Sequence, residues 1–240
     1  MINQFSRTEL MLGSDKIKKL NNSRVAVFGV GGVGGYVCEA LVRSGIGQID
    51  IVDNDTVSLT NLNRQIIALH STVGKNKVDV MQERIADINP DCRVTKHKTF
   101  FSEETYGEFD FNSFDYVVDA IDSVKSKILL AKICNEKNIP LISSMGTGNK
   151  LDATQLEIAD ISKTSYDPLA RVMRRELKKI GIKHLCVVYS KEEAIKPDEE
   201  SLKAVIEEEG VSKRTIPSSN AFVPSAAGLI IASKVIKDLI

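Results

Sequence analysis

The chain has 240 residues, of which 42% are hydrophobic, and its 32 basic side chains balance its 32 acidic side chains. This length and composition are sufficient for a substantial core, most simply in one domain that spans residues 1–240. A formal net charge of zero excludes a global field that attracts nucleic acid, so such binding needs a local basic patch. The cysteines show no regular spacing and the first residues form no apolar signal segment, so we expect a cytoplasmic protein.

Hydrophobic periodicity predicts an alternation of strands and helices after an N-terminal arm at residues 1–22. Short apolar runs predict strands near 24–29, 48–53, 93–99, 116–120, 140–144, 155–161 and 185–190. Helical patterns fit 34–44, 76–88, 125–137, 168–180 and 226–239. This order is typical of an α/β protein: a Rossmann-like, doubly wound, mostly parallel sheet with helices on both faces, plus a C-terminal extension.

Two segments in the second half of the chain have their own signals. Residues 191–220 are rich in charged side chains, and we interpret them as a mobile insertion. The last apolar stretch, 228–240, is too short and too charged for a transmembrane span, so we expect its helix to dock on the core.

The first predicted strand ends in a glycine-rich run, Gly29-Val30-Gly31-Gly32-Val33-Gly34, which opens a helical pattern. A strand that turns into a helix through glycines lets backbone N–H groups approach a phosphate without a Cβ in the way. The second strand ends in Asp53, an acid placed to accept hydrogen bonds from a ribose. The pattern predicts an adenine-nucleotide site; the alternative is a glycine turn that only packs helix on strand.

The polar residues beyond this acid favour a triphosphate and a divalent cation over hydride transfer. A dehydrogenase needs an apolar slot for nicotinamide, whereas this region supplies cations, amides and acids: Asp55, Asn61, Arg64, Gln65, Lys77 and Asp122. Arg64 and Lys77 can offset charge that builds on phosphate oxygens, and Asp122, after an apolar strand, can ligate Mg²⁺. Each residue alone has an ordinary structural explanation, but together, after a nucleotide motif, they predict catalysis.

These motifs resemble those of the ubiquitin-activating-enzyme-like (ThiF/MoeB/HesA) superfamily, which activates carboxylates as acyl-adenylates. The segment 222–229 and Arg7 in the N-terminal arm match the same pattern. The resemblance implies that ATP is bound through Gly29, Gly31, Gly32, Gly34, Asp53, Asp55, Asn61 and Gln65. It implies catalytic roles for Arg64, Lys77 and Asp122, the last as a magnesium ligand. It also implies a homodimer in which Arg7 reaches into the partner's site.

The second half distinguishes branches of this superfamily. Members that adenylate sulfur-carrier proteins typically hold a structural zinc with two Cys-x-x-Cys pairs, which this chain lacks, so no zinc is expected. The segments 158–164, 167–171 and 187–192 resemble instead the branch that dehydrates threonylcarbamoyladenosine beside the tRNA anticodon. In that branch ATP activates the threonyl carboxylate, the neighbouring ureido group closes a ring, and AMP leaves. The resemblance leaves open a cysteine desulfurase or sulfur-acceptor protein as a further partner.

A tRNA substrate requires a cationic surface on this neutral chain. One helix of the pattern carries a basic stripe, consisting of Arg171, Arg174, Arg175 and Lys178, opposite an apolar stripe. We predict that the basic stripe binds tRNA; the alternative is an ordinary solvated helix face.

Three functions are therefore weighed. The first is ATP-dependent dehydration of threonylcarbamoyladenosine in tRNA. The second is adenylation of a ubiquitin-like sulfur-carrier protein, which the missing zinc cysteines disfavour. The third is a nucleotide-gated binding protein without turnover, which the full set of cations and acids disfavours.

Overall fold

The computed structural model describes residues 2–209 and 217–240. Its strands are Arg24–Phe28 (β1), Gln48–Val52 (β2), Arg93–His97 (β3), Tyr116–Asp119 (β4), Leu141–Ser144 (β5), Leu156–Asp160 (β6) and Cys186–Ser190 (β7). They form one seven-stranded sheet in the order β3-β2-β1-β4-β5-β7-β6. β6 runs antiparallel to β7, and the other neighbouring strands are parallel. The predicted fold class, an α/β Rossmann-like and mostly parallel sheet, is confirmed.

The helices of the described residues are Ser6–Leu12 (α1), Ser14–Asn22 (α2), Gly34–Arg43 (α3), Lys77–Ile88 (α4), Val124–Lys137 (α5), Pro168–Lys179 (α6), Glu199–Glu209 (α7) and Val223–Leu239 (α8). The sequence analysis assigned no helix at α1, α2 or α7. These helices are difficult to recognise because they bury little: α2 buries only Ile17 and Leu20, and α1 buries none of its residues. Part of the predicted mobile insertion, residues 210–216, lies outside the described residues.

Helices cover both faces of the sheet because successive strand residues point to opposite sides. In β1, Val25 and Val27 pack into a core with α3, α4 and α8, whereas Ala26 and Phe28 pack on the other side with α5. All of these strand residues are fully buried. Within the described residues, no helix combines the length and apolar character that a membrane crossing needs.

The strand order places the site. β1 has β2 on one side and β4 on the other, so the chain connections diverge at the carboxyl ends of β1 and β4. In open α/β sheets, ligands bind in the crevice that opens at such a switch point. The glycine run follows β1, Asp53 follows β2, and Asp122 lies just beyond β4, so all three lie at this edge.

Candidate active site

The glycine loop is packed so tightly that side chains are excluded at two of its positions. Gly29 has a φ of +92°, and a Cβ there would lie 2.5 Å from the carbonyl oxygen of Ala120. A Cβ on Gly34 would lie 1.8 Å from the carbonyl oxygen of Gly29. The first glycine therefore lets β1 turn against the end of β4, and the last lets α3 begin directly above the strand.

Asp53 holds this loop from the neighbouring strand. Its carboxylate accepts the backbone N–H of Val30 at 2.7 Å and that of Asp55 at 2.9 Å. Burial raises the pKa of Asp53 above its usual value, although Lys77 and the two N–H donors oppose that shift. The carboxylate thus fixes the loop after β1 relative to the turn after β2, and it remains partly accessible at the cavity wall.

Lys77, the first residue of α4, brings a cation to the same wall. Its Nζ lies 2.7 Å from an oxygen of Asp55 and 3.9 Å from one of Asp53. Its side chain is buried, whereas that of Asp55 is 61% exposed. A buried ammonium held at one place between two acids is a preorganised donor for phosphate oxygens.

The turn between Ser58 and Gln65 supplies the amides and the second cation. The Oδ1 of Asn61 accepts the N–H of Ser58 at 3.2 Å, and the Nη1 of Arg64 donates to the carbonyl oxygen of Thr60 at 3.0 Å. Gln65 is buried, and within the described part of the chain its Oε1 has no hydrogen-bond partner. Because buried polar atoms are normally paired, this oxygen is available to a donor from a bound molecule.

These elements enclose a cavity of about 330 Å³. The predicted residues that line it are Gly29, Gly31, Gly32, Asp53, Asp55, Asn61, Arg64, Gln65, Lys77 and Asp122. Gly34 does not line the cavity; its role is the close packing described above. Arg7, exposed on α1, is likewise not among the residues that line the cavity of its own subunit.

Sequence reasoning missed one wall of the cavity, Thr99, Phe100 and Phe101, which follow β3. Phe101 packs edge-on against Phe28 with ring centroids 4.8 Å apart, and Phe100 is 48% exposed. An aromatic surface in the same cavity as the strand-end acid Asp53 suits a nucleobase. The available signal was position alone, because the two phenylalanines lie at the carboxyl end of a predicted strand, as Asp53 does.

Another part of the cavity lining comes from two segments that are distant in the chain, of which only the second overlaps a motif recognised in the sequence, residues 222–229. Thr147 follows β5, while Ser219 and Pro224 lie before and within α8. The two segments are fastened together, because the Oδ1 of Asn149 accepts the N–H of Ser218 at 2.7 Å. Segments far apart in the chain therefore complete this part of the cavity wall.

The four side chains of the predicted basic stripe on α6 have different surroundings in the structure. Arg171, Arg175 and Lys178 are exposed, and Arg175 pairs with Glu176 at 2.8 Å. Arg174 is instead used within the fold: its Nη1 donates to the carbonyl oxygens of Ile161 and Thr164 at 3.1 and 3.0 Å. Periodicity places all four residues on one face of the helix but does not distinguish an arginine that anchors a neighbouring turn.

Asp167 connects α6 to the cavity rim. Its carboxylate accepts the N–H of Ala170 at 2.8 Å, which caps the helix, and the N–H of Gly146 at 3.1 Å, next to Thr147. The side chain is buried, and burial raises its pKa. One carboxylate therefore links the helix with the basic stripe to a loop that lines the cavity.

Comparison with known proteins gives a consistent result. The ThiF family model matches residues 5–239. A tRNA threonylcarbamoyladenosine dehydratase of Bacillus subtilis is 52% identical over 243 residues, covering 100% of this chain and 96% of the relative. Its Escherichia coli counterpart is 42% identical over 73% of this chain and 65% of the relative. The solved structure of E. coli tRNA N6-threonylcarbamoyladenosine dehydratase in complex with ATP matches with a TM-score of 0.87 and 34% identity, over 98% of this chain and 93% of that chain.

Proposed function

The chain belongs to the ThiF family, and we propose that it dehydrates N6-threonylcarbamoyladenosine in tRNA, using ATP to activate the threonyl carboxylate. The observation that carries this proposal is the cavity at the switch point, which brings Asp53, Lys77 and Asp122 together in a chain whose full length matches a dehydratase of this kind. tRNA and ATP are cytoplasmic substrates, so we place the reaction in the cytoplasm.

The reaction has two displacements. A carboxylate oxygen of the threonyl group attacks the α-phosphorus of ATP, and the bond to pyrophosphate breaks. The neighbouring ureido group then attacks the acyl carbon and loses a proton, and the carboxyl oxygen leaves with AMP. The nucleoside has lost one water. Hydroxide is a poor leaving group and AMP a good one, and the second step is intramolecular, so the protein mainly has to position the groups.

In this proposal, different residues of the cavity bind the nucleotide and stabilise the charge on its phosphates. The backbone of Gly29–Gly34 and the buried Oε1 of Gln65 face the nucleotide, and Asp53 accepts hydrogen bonds from the ribose hydroxyls. Lys77 and Arg64 neutralise charge on the phosphates as pyrophosphate departs. Asn61 helps to fix the turn that carries Arg64.

Magnesium fits this donor set through Asp122. In the described residues, no group of three or more His, Cys, Asp or Glu side chains is assembled to hold a metal. Mg²⁺ does not need one, since it usually binds one or two carboxylates together with substrate phosphates and water. Asp122 is exposed at the rim of the cavity and can serve as such a carboxylate. When bound, the ion neutralises phosphate charge.

A homodimer completes the site in this proposal, with Arg7 supplied by the partner subunit. Arg7 lies on α1, where the neighbouring Leu10 and Met11 are 89% and 78% exposed. Exposed apolar side chains clustered on one short helix are typical of a surface that another chain covers. The tRNA contacts are assigned to Arg171, Arg175 and Lys178 of the exposed stripe.

The test is incubation of the protein with ATP and tRNA that carries threonylcarbamoyladenosine, followed by mass spectrometry of the nucleosides. The expected product is a nucleoside lighter by one water, with AMP and pyrophosphate formed in equal amounts. Unmodified tRNA is the matched control and should give neither product. If pyrophosphate exchange requires a small protein that ends in Gly-Gly and never responds to tRNA, the sulfur-carrier function replaces this one.

A further inference from the structure

A closed polar triad, formed by Asp119, Lys127 and Ser143, lies beneath the active-site cavity. None of the three residues is more than 1% exposed. The Nζ of Lys127 donates to the Oδ1 of Asp119 at 3.1 Å, to the Oγ of Ser143 at 3.2 Å and to the carbonyl oxygen of Ser144 at 2.8 Å. Ser143 donates in turn to the Oδ2 of Asp119 at 2.5 Å. All three N–H donors of the ammonium group are thus satisfied.

Stability alone does not account for this arrangement. Burying two charges carries a large desolvation penalty, and well-packed apolar residues often stabilise a core equally well. The core on this side of the sheet is apolar and includes Val117 of β4 and Leu130 of α5, both fully buried. A charged triad at this position therefore calls for a further role.

The triad is connected directly to the floor of the cavity. The Oδ1 of Asp119, which accepts from Lys127, also accepts the backbone N–H of Ile121 at 3.1 Å. Ala120 and Ile121 line the cavity. The carbonyl oxygen of Ala120 is so close to Gly29 that a Cβ on Gly29 would lie 2.5 Å from it. The direction of this turn therefore sets the width of the crevice between β1 and β4.

The same turn carries Asp122 into the start of α5. Ser123 caps the helix, its Oγ accepting the N–H of Ser126 at 3.4 Å, and Lys127 follows within the same helical turn. Lys127 itself does not line the cavity. It ties the first turn of α5 to the ends of β4 and β5, and Asp122 lies between these fixed points.

We propose that Lys127, with Asp119 and Ser143, is a positioning group for the turn formed by Ala120, Ile121 and Asp122. The triad touches neither nucleotide nor substrate. It holds the turn at the distance from Gly29 that the nucleotide needs and aims Asp122 along the cavity rim. This inference rests on the proposed function for the identity of the reaction, but not for the binding of ATP.

The experiment compares Lys127→Met, the charge-free pair Asp119→Asn with Lys127→Met, and the milder Ser143→Ala. Lys127→Met leaves the buried carboxylate of Asp119 without its cation and can unfold the protein. The other two variants leave no unpaired charge. The matched control is Arg84→Met, which breaks a partly buried pair with Glu39 at 2.6 Å between α3 and α4, away from the cavity. Melting temperature, ATP affinity by calorimetry, and kcat and KM are measured for each variant.

We expect the charge-free pair to fold, to bind ATP about tenfold more weakly and to lose about 100-fold in kcat, because displacements near 1 Å have such effects. The ATP affinity and kcat of Ser143→Ala should lie between those of the charge-free pair and of wild type. Arg84→Met should have a lower melting temperature but unchanged ATP affinity and kcat. The inference is overturned if the charge-free pair binds ATP and reacts as wild type does. ATP affinity decides the matter even if modified tRNA proves not to be the substrate.

Discussion

The two halves of the sheet hold their charged residues in different ways. In the half formed by β3, β2, β1 and β4, the cation Lys77 is buried at the cavity and held 2.7 Å from Asp55. In the half formed by β5, β7, β6 and α6, most of the basic stripe is exposed, and Arg171 and Lys178 lie on the open face of the helix. We call these the nucleotide half and the α6 half.

This difference matches the different chemistry proposed for each half. Stabilising charge on a phosphate during a displacement needs groups that are already in place, because reorganisation adds to the barrier. Binding the phosphates of a large polyanion needs charge and tolerates movement, because much of the affinity comes from released counterions. Substitutions in the nucleotide half should therefore reduce the rate, and those in the α6 half should reduce tRNA affinity.

The largest effect should come from the nucleotide half. We expect Lys77→Ala and Asp122→Ala each to lower the rate of AMP formation by about two to three orders of magnitude, since the first removes a preorganised cation and the second the proposed magnesium ligand. Lys75→Ala is the control, because Lys75 is exposed and lies outside the cavity. Single-turnover assays and melting curves should show lost chemistry in a folded protein. Near-normal turnover by either variant would exclude that residue from the mechanism.

The second prediction tests whether the nucleotide half is complete within one subunit. Arg7→Ala should be inactive, and mixing it with Lys77→Ala should restore activity, because one site of each heterodimer then has both residues. With random exchange of subunits, about a quarter of the wild-type activity should return. Differently tagged subunits establish that exchange has occurred. Arg7 acts within its own subunit, or not at all, if exchanged mixtures remain inactive.

Sequence predicted which residues of the nucleotide half lie around one cavity, because its signals are local. Gly29, where a Cβ would lie 2.5 Å from the carbonyl oxygen of Ala120, and the acid at the end of the second strand are both marked by residue type and by position along the chain. The buried triad was not recognised, since Lys127 resembles any helix lysine until the fold places Asp119 and Ser143 around it. Arg174 was assigned to the tRNA surface because helical periodicity does not reveal its hydrogen-bond partners, Ile161 and Thr164, which lie on a turn outside the helix.

The third prediction separates Arg174 from the rest of the α6 half. The double variant Arg171→Glu/Arg175→Glu should raise the KM for tRNA about tenfold or more and leave ATP affinity unchanged. Its tRNA affinity should also depend less steeply on salt concentration than that of wild type. Arg174→Ala should mainly destabilise the fold, by about 1.5–3 kcal/mol, because it loses charged hydrogen bonds to a turn. Lys237→Glu, an exposed charge reversal on α8, is the control. Unchanged tRNA binding by the Arg171/Arg175 variant would leave the stripe a solvated helix face.

The smallest effects are in the pH dependence of the free energy of unfolding. Asp50 in the nucleotide half and Asp167 in the α6 half should change it in opposite directions as pH rises. Burial opposes ionisation of Asp50 in β2, but hydrogen bonds from His97 and Arg24 outweigh it and lower its pKa. The stability that Asp50 contributes is therefore fully present above its unfolded pKa and lost as pH falls through its lower folded pKa. The advantage of wild type over Asp50→Asn should shrink in acid, as urea unfolding at several pH values would show.

Asp167 in the α6 half should show the reverse slope. Burial raises its pKa, so folding favours the protonated form, and the advantage of wild type over Asp167→Asn should decline as pH rises from the unfolded pKa through the raised one. The slopes are small, because one carboxyl contributes only about 1.4 kcal/mol for each unit by which its pKa differs between the two states. Asp87→Asn, at an exposed position, controls for the loss of a charge. Parallel slopes for Asp50→Asn and Asp167→Asn would mean that the hydrogen bonds from Gly146 and Ala170 outweigh the burial of Asp167.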